Sequence, residues 1–215
     1  MTRRRCSSRQ SSHNGFPHQA CSCHRQGDLI TGFIAEPRRI NPLLRLAIWY
    51  VERGMRQRFV PGRLLGWYPR AALGFVVQGL LEASHHRTLS DRILALVGIA
   101  ASYAVGSPYC IAANSEGHQR YGISDAELDV IRAAGDLSEV TGFTPRERLA
   151  ITYARLISAT PLVFPDDFVA ELKAAFSARE IVVLASSVAY INLLARLIEP
   201  LGVPPPVFSD QRPGR

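Results

Sequence analysis

The sequence predicts a compact all-α domain of about seven to eight helices. Three observations lead there. Apolar residues recur at three- and four-residue spacing from residue 41 onward, the signature of helices with one buried stripe. Three Ser/Thr-x-x-Glu capping boxes stand ahead of apolar runs, at Ser124–Glu127, Thr144–Glu147 and Ser177–Glu180. No β-type alternation of useful length competes, since Ile181-Val182-Val183-Leu184 lies inside a longer helical pattern.

Taken in order, Asn41-Pro42 reads as an N-cap followed by Pro at the first helical position, with Leu43, Leu44, Leu46, Ala47 and Tyr50 on an apolar stripe. Pro61 opens a short helical turn that ends near Tyr68-Pro69, and a third helix covers about Arg70 to Ser84. Ser90-Asp91 caps a helix over Arg92 to Val105 that is apolar nearly all round and therefore belongs at the centre. Ser107-Pro108 caps the next helix, expected to run on to Gly122. Gly135 and Gly142 mark helix stops, and Pro165-Asp166-Asp167 opens Phe168 to Phe176. The last long helix, Arg179 to Ile198, sets Ile181, Leu184, Val188, Ile191 and Ala195 on one face. Pro200 and the run Pro204-Pro205-Pro206 end the fold.

Composition narrows the function classes. The chain has 215 residues, is 47% hydrophobic and carries a formal charge of +7. Seven Arg fall in residues 1–40 against Asp28 and Glu36, so most of the excess sits in a tail rather than on a folded face. Groove binding needs spatially organised cations, so nucleic acid is not expected as a partner. The longest apolar-rich run, Ile93 to Val105, falls short of the roughly 18 residues of a membrane span, so no membrane is expected either. Residues 1–37 read as a disordered basic tail, 38–203 as the helical domain and 204–215 as a Pro-rich tail. Cys21-Ser22-Cys23-His24 in the first tail lacks the second ligand pair that zinc requires, so no metal or other cofactor is expected. Three of the four Cys lie in that tail, which supplies no disulfide framework and suits a reducing, cytoplasmic location.

One position looks chemical. Cys110 falls about three residues into the helix capped by Ser107, near unpaired backbone N–H groups and the positive end of the helix dipole. Both favour thiolate over thiol. Asn114 follows one turn later and His118 one turn beyond it, so Ser107, Tyr109 and Asn114 are expected to surround the sulfur with hydroxyl and amide groups. The same position also suits a small buried apolar residue.

The stretch Leu94 to Ser115, continuing to Gly122, resembles the signature helix pair of the carboxymuconolactone decarboxylase and alkylhydroperoxidase D family. In that pattern a Glu stands twelve residues before a Cys-x-x-Cys, a His four residues after the second Cys and a Gly twelve after it, where Gly122 stands here. Thr144 to Ala154, Phe176 to Val182, Asn192, Arg196 and Leu201-Gly202-Val203 extend the resemblance over most of residues 42–203. Aligned without gaps, however, the Glu falls on Ala95, the first Cys on Ser107 and the His on Asn114; the second Cys alone remains, as Cys110. A serine cannot form the disulfide, alanine cannot relay a proton, and asparagine does not titrate near neutral pH. The family's dithiol cycle and its acid–base decarboxylation are both expected to be absent. The resemblance then implies one of two functions. One is a single-thiol enzyme acting on peroxides or other electrophiles through Cys110, with Ser107 and Asn114 beside it and an external thiol as reductant. The other is a non-catalytic scaffold that keeps the fold. For either, the resemblance implies a homo-oligomer, trimeric or hexameric, to which apolar residues such as Trp49, Trp67 and Phe75 would contribute.

Overall fold

The computed structural model describes residues 33–55, 58–82 and 84–206. Among them are nine α-helices and no strand. They are α1 (Pro42–Met55), α2 (Val60–Leu64), α3 (Pro69–Glu82), α4 (Asp91–Val105), α5 (Pro108–Ser115), α6 (Asp125–Arg132), α7 (Pro145–Ser158), α8 (Asp166–Ala175) and α9 (Ala178–Ile198), with short 3-10 turns between some of them. The fold class is as the sequence predicts, with one helix more than expected.

Helix α4 is the axis of the domain. It packs against α7, α9 and α5, and its Leu96, Val97, Ile99, Ala100 and Ala101 are fully buried. Small residues on α7 (Ala150, Ala154) let that helix approach closely, while Ile151, Leu184 and Val188 fill the space between. A second, smaller cluster of Val60, Leu64, Tyr109, Ile198 and Val203 closes the end of the bundle where α5 begins.

All three capping boxes form, with each Ser or Thr side chain accepting from the backbone N–H of the Glu three residues on. Two of those glutamates do more than cap. Glu127 and Glu147, 3% and 6% exposed, converge on Arg92 in the first turn of α4, at 2.5 and 2.7 Å. One guanidinium thereby ties together the N-termini of α4, α6 and α7. Gly142 lies against this knot, where a Cβ would stand 2.5 Å from a Glu127 carboxylate oxygen.

The helix ends differ from expectation in three places, the first being Gly142, which lies in the connection between α6 and α7 and ends no helix. Helix α5 stops at Ser115, followed by Gly117 at φ 62°, and Gly122 closes a separate 3-10 turn over His118–Tyr121. Helix α6 ends in a Schellman motif whose left-handed residue is Ala134 (φ 51°), while Gly135 takes the following position and its N–H reaches Val130 O. At the N-terminal boundary the folded part begins before residue 38. Phe33 N donates to Leu201 O, Trp67 Nε1 to Ala35 O, and Arg58 to Glu36. Residues 1–32 and 207–215, with Cys6, Cys21, Cys23 and the rest of both expected tails, lie outside the described residues.

Several large apolar side chains lie exposed on the surface. Trp49 and Trp67 are exposed and Phe75 is half-buried. On α3, Leu73, Val77, Leu80 and Leu81 form an exposed stripe at helical spacing. Helix α9 with its following turn, Ala178–Leu201, is long and apolar enough by composition to cross a membrane, although its inner face packs on α4 and α7. The outer face leaves Val182 and Leu193 exposed.

Candidate functional site

The α4–α5 junction positions Cys110. Gly106, at φ 70°, ends α4 and turns the chain. Ser107 then takes the N-cap of α5 with extended backbone, and Pro108 supplies the pre-set φ of the first turn. The Cys110 N–H donates to Ser107 Oγ at 3.3 Å, so Cys110 lies in the first turn beside Ser107. Asn114 Nδ2 donates back to Cys110 O and across to Ser102 Oγ on α4, each at 3.0 Å. The asparagine carbonyl lies against Gly98, where a Cβ would stand 3.3 Å away. The structure therefore gathers Ser107, Cys110 and Asn114 at one junction.

Two expected features are absent from that junction. His118 is not part of it, because α5 ends too soon: its ring sits between Ser115 O and Asp125 Oδ1, at 3.0 and 2.9 Å. The surroundings of the thiol also work against its ionisation. Cys110 is 2% exposed, and burial pushes its pKa above the ordinary value, with the Glu199 carboxylate pushing the same way. The Ser107 hydroxyl opposes both without prevailing. The helix N-terminus alone predicts the opposite, since it leaves out the residues that seal the sulfur from water. The neighbouring Tyr109 hydroxyl is pushed up to about 12, chiefly by burial, and has no hydrogen-bond partner.

Glu199 is a residue the sequence did not single out. It follows α9, 92 positions from Ser107, and accepts a 2.6 Å hydrogen bond from the Ser107 hydroxyl. No local motif could have announced it. The same holds for Glu82 at the end of α3, whose carboxylate accepts from Gln78, Ser186 and Ser187 at 2.8, 2.8 and 3.0 Å and lies 3.0 Å from His85 Nδ1. With four partners its lone pairs are taken up.

A cleft of about 480 Å³ opens over the positions where the family pattern would place its acid and base. Ala95 and Asn114 line it, together with Glu82, His86, Arg120 and Tyr121. Cys110 does not line this cleft. Asn114 thus touches both the cleft and the Cys110 backbone, while Cys110 itself stays off the cleft wall. Among the described residues no group of three His, Cys, Asp or Glu could hold a metal ion.

No protein-family model matches the sequence, and no curated protein matches it by sequence. Solved structures do match. The apo crystal structure of the debrominase Bmp8 superposes at a TM-score of 0.68 and 17% identity, covering 82% of this chain and 91% of that one. A cysteine-to-alanine variant of the same debrominase in complex with 2,3,4-tribromopyrrole gives 0.66 over similar coverage. A protein of unknown function from Agrobacterium tumefaciens, a candidate antioxidant-defence protein AhpD, gives 0.59 at 21% identity over 67% of this chain and 96% of that one. A peroxidase-related protein from Silicibacter sp. TM1040 gives 0.67 at 13% identity over 85% and 95%. At these identities the likeness establishes the fold: an all-α alkylhydroperoxidase D-like domain.

Proposed function

We propose that this chain is a homo-oligomeric helical scaffold of the alkylhydroperoxidase D-like type, trimeric or hexameric, whose thiol site does not run the family's chemistry. The observation that carries this reading is the state of Cys110: sealed at 2% exposure, raised in pKa, and separated from the cleft that Asn114 and Ala95 line. A nucleophilic thiol needs the reverse on each count. The uncharged stripe Leu73–Val77–Leu80–Leu81 on α3 supports assembly, since interface cores are depleted in charge and apolar stripes of this spacing pack helix against helix.

Treatment of the native protein with hydrogen peroxide, followed by mass spectrometry of the Cys110 peptide, tests the silent thiol. The expectation is no oxidation on the timescale of minutes and rapid oxidation once urea opens the fold. Prompt formation of sulfenic acid in the native state would refute it. Light scattering tests the assembly, with Leu80→Glu expected to release monomers.

One observation favours a second reading, single-thiol chemistry. The Tyr109 hydroxyl is buried beside Cys110 without a partner, as a donor held ready for a ligand oxygen would be. In that reading Cys110 attacks the outer oxygen of a small hydroperoxide, leaving a sulfenic acid and an alcohol. Two equivalents of an external thiol then restore the cysteine and release water and a disulfide. Ser107 would pass the thiol proton toward Glu199, and Asn114 would hold the turn in place. Peroxide-dependent turnover with a small thiol, abolished by Cys110→Ala and reduced by Tyr109→Phe, would establish it over the scaffold.

A further inference from the structure

We propose that α1 and the segment leading into it form a docking face for an anionic phospholipid surface, a partner independent of the state of Cys110. The sequence leads to an expectation of no membrane partner on span length alone; a surface that lies on the bilayer departs from that expectation. Helix α1 is mostly unburied: Ile48 is sealed in the fold, while Leu43 is 78% exposed, Leu46 61%, Trp49 53% and Tyr50 73%. Leu43, Leu46 and Tyr50 stand at i, i+3 and i+7, one continuous stripe turned away from the domain, with Trp49 at its border.

Arginines surround that stripe. Arg38 and Arg39 precede α1, and Arg45 and Arg53 lie along it, all exposed. Arg38, Arg39 and Arg45 have no carboxylate partner among the described residues, whereas the two nearby acids, Glu36 and Glu52, are held by Arg58 and Arg63 at 2.7 and 2.8 Å. The Arg53 guanidinium lies 5.7 Å from the Trp49 ring centroid. A cleft of about 1200 Å³ runs beside the helix, and its lining includes Arg38, Arg39, Arg45, Leu43, Leu46 and Trp49 as well as the two paired acids Glu36 and Glu52. Residues 33–82 as a whole hold eight Arg against three Glu.

This combination selects its partner. A helix with apolar and aromatic residues on one side and arginine around them is the form that sinks into the headgroup region, where aliphatic groups reach the acyl chains and guanidinium groups meet phosphate. A second copy packed symmetrically here would bring the unpaired arginines of both copies together, a repulsion that the uncharged stripe on α3 avoids. Nucleic acid would satisfy the arginines and leave Leu43 and Leu46 in water.

The test uses the full chain in a vesicle sedimentation assay, with phosphatidylcholine vesicles alone and with phosphatidylglycerol added. Binding is expected to the anionic vesicles, at least about tenfold stronger than to the neutral ones, weakening as salt is raised. Brominated acyl chains should quench Trp49 fluorescence, measured in a Trp67→Phe background. The combined Arg38→Gln, Arg39→Gln and Arg45→Gln variant should lose roughly a hundredfold in affinity. The pair Leu43→Ser and Leu46→Ser should lose at least about tenfold, with circular dichroism and oligomeric mass unchanged for both sets. Three results would each overturn the proposal: no binding to anionic vesicles by the parent, equal binding to neutral ones, or a leucine pair that dissociates the oligomer while leaving vesicle binding intact. Duplex DNA bound more tightly than vesicles at the same salt, with the leucine pair unaffected, would assign the face to nucleic acid instead.

Discussion

Replacing Arg92 by Met would remove the one cation that two sealed carboxylates share. Glu127 and Glu147 are almost fully buried, and Arg92 reaches both while also donating to Gly122 O. The methionine preserves the aliphatic stem and its packing, so the loss isolates the charge. Breaking one partner out of a buried pair costs about 3–5 kcal/mol, because the other charge stays in the low-dielectric interior without compensation. Arg92 itself keeps partial contact with water, which places the expectation at the lower end, about 3 kcal/mol. For a domain of this size that corresponds to a fall of roughly 6–12 °C in melting temperature.

The pH dependence provides the sharper check. In the parent, the Glu127 carboxyl lies below its ordinary range: burial raises it, but hydrogen bonds from Ser124 and Arg92 together outweigh that burial. A depressed folded value means stability that is present above the unfolded pKa and lost as pH falls through the folded one. In Arg92→Met both contributions of the guanidinium are lost while burial and the Ser124 hydrogen bonds remain, so the folded value rises relative to the parent's and protonation costs the variant less. The gap between the two proteins should therefore narrow from about pH 7 toward about pH 4, as read by thermal and urea denaturation. A variant melting within about 2 °C of the parent at neutral pH, or a gap that widens on acidification, would refute the account of the knot.

Four further outcomes are expected. Ala134→Gly should stabilise the protein by about 1 kcal/mol in urea denaturation, since Ala134 holds a left-handed conformation (φ 51°) that costs a residue with a Cβ and costs glycine nothing. Glu199→Gln should lower the thiol pKa of Cys110, measured by thiolate absorbance, yet leave it above the ordinary value, because burial is the larger cause. In the same vein, a raised folded thiol makes the parent lose stability as pH climbs above the ordinary thiol range, and Cys110→Ala should flatten that alkaline slope. Restoring the family pattern with Ala95→Glu, Ser107→Cys and Asn114→His should give a folded protein, since residues 95 and 114 line a polar cleft. The sulfur introduced at position 107 should form a disulfide with Cys110 only slowly under oxidant, since that position is 1% exposed and the change removes the hydrogen bond to Glu199. Rapid disulfide formation would show that the junction opens in solution.

Much of this protein is local and therefore readable from the chain alone. A capping box needs only a Ser or Thr and a Glu three residues on, so the starts of α6, α7 and α9 were legible, as was the turn that puts Cys110 beside Ser107. The apolar run that makes α4 central is likewise a property of consecutive residues. What the tertiary structure alone decided is wherever distant segments meet. The two capping glutamates gave no sign of sharing Arg92, because 35 and 55 residues separate them from it. Glu199 meets Ser107 from 92 residues away. The thiol illustrates the difference in physical terms. Its helix position favours the anion through a nearby dipole, an effect of at most about 2 kcal/mol that the sequence displays. The desolvation that overrides it comes from burial at the packed α4–α5 junction, which exists only once the bundle has closed. Helix α1 shows the same limit from the other side. Periodicity revealed its apolar stripe, but a stripe does not say which of its residues the domain covers, and here the fold takes Ile48 and leaves Leu43, Leu46 and Tyr50 exposed.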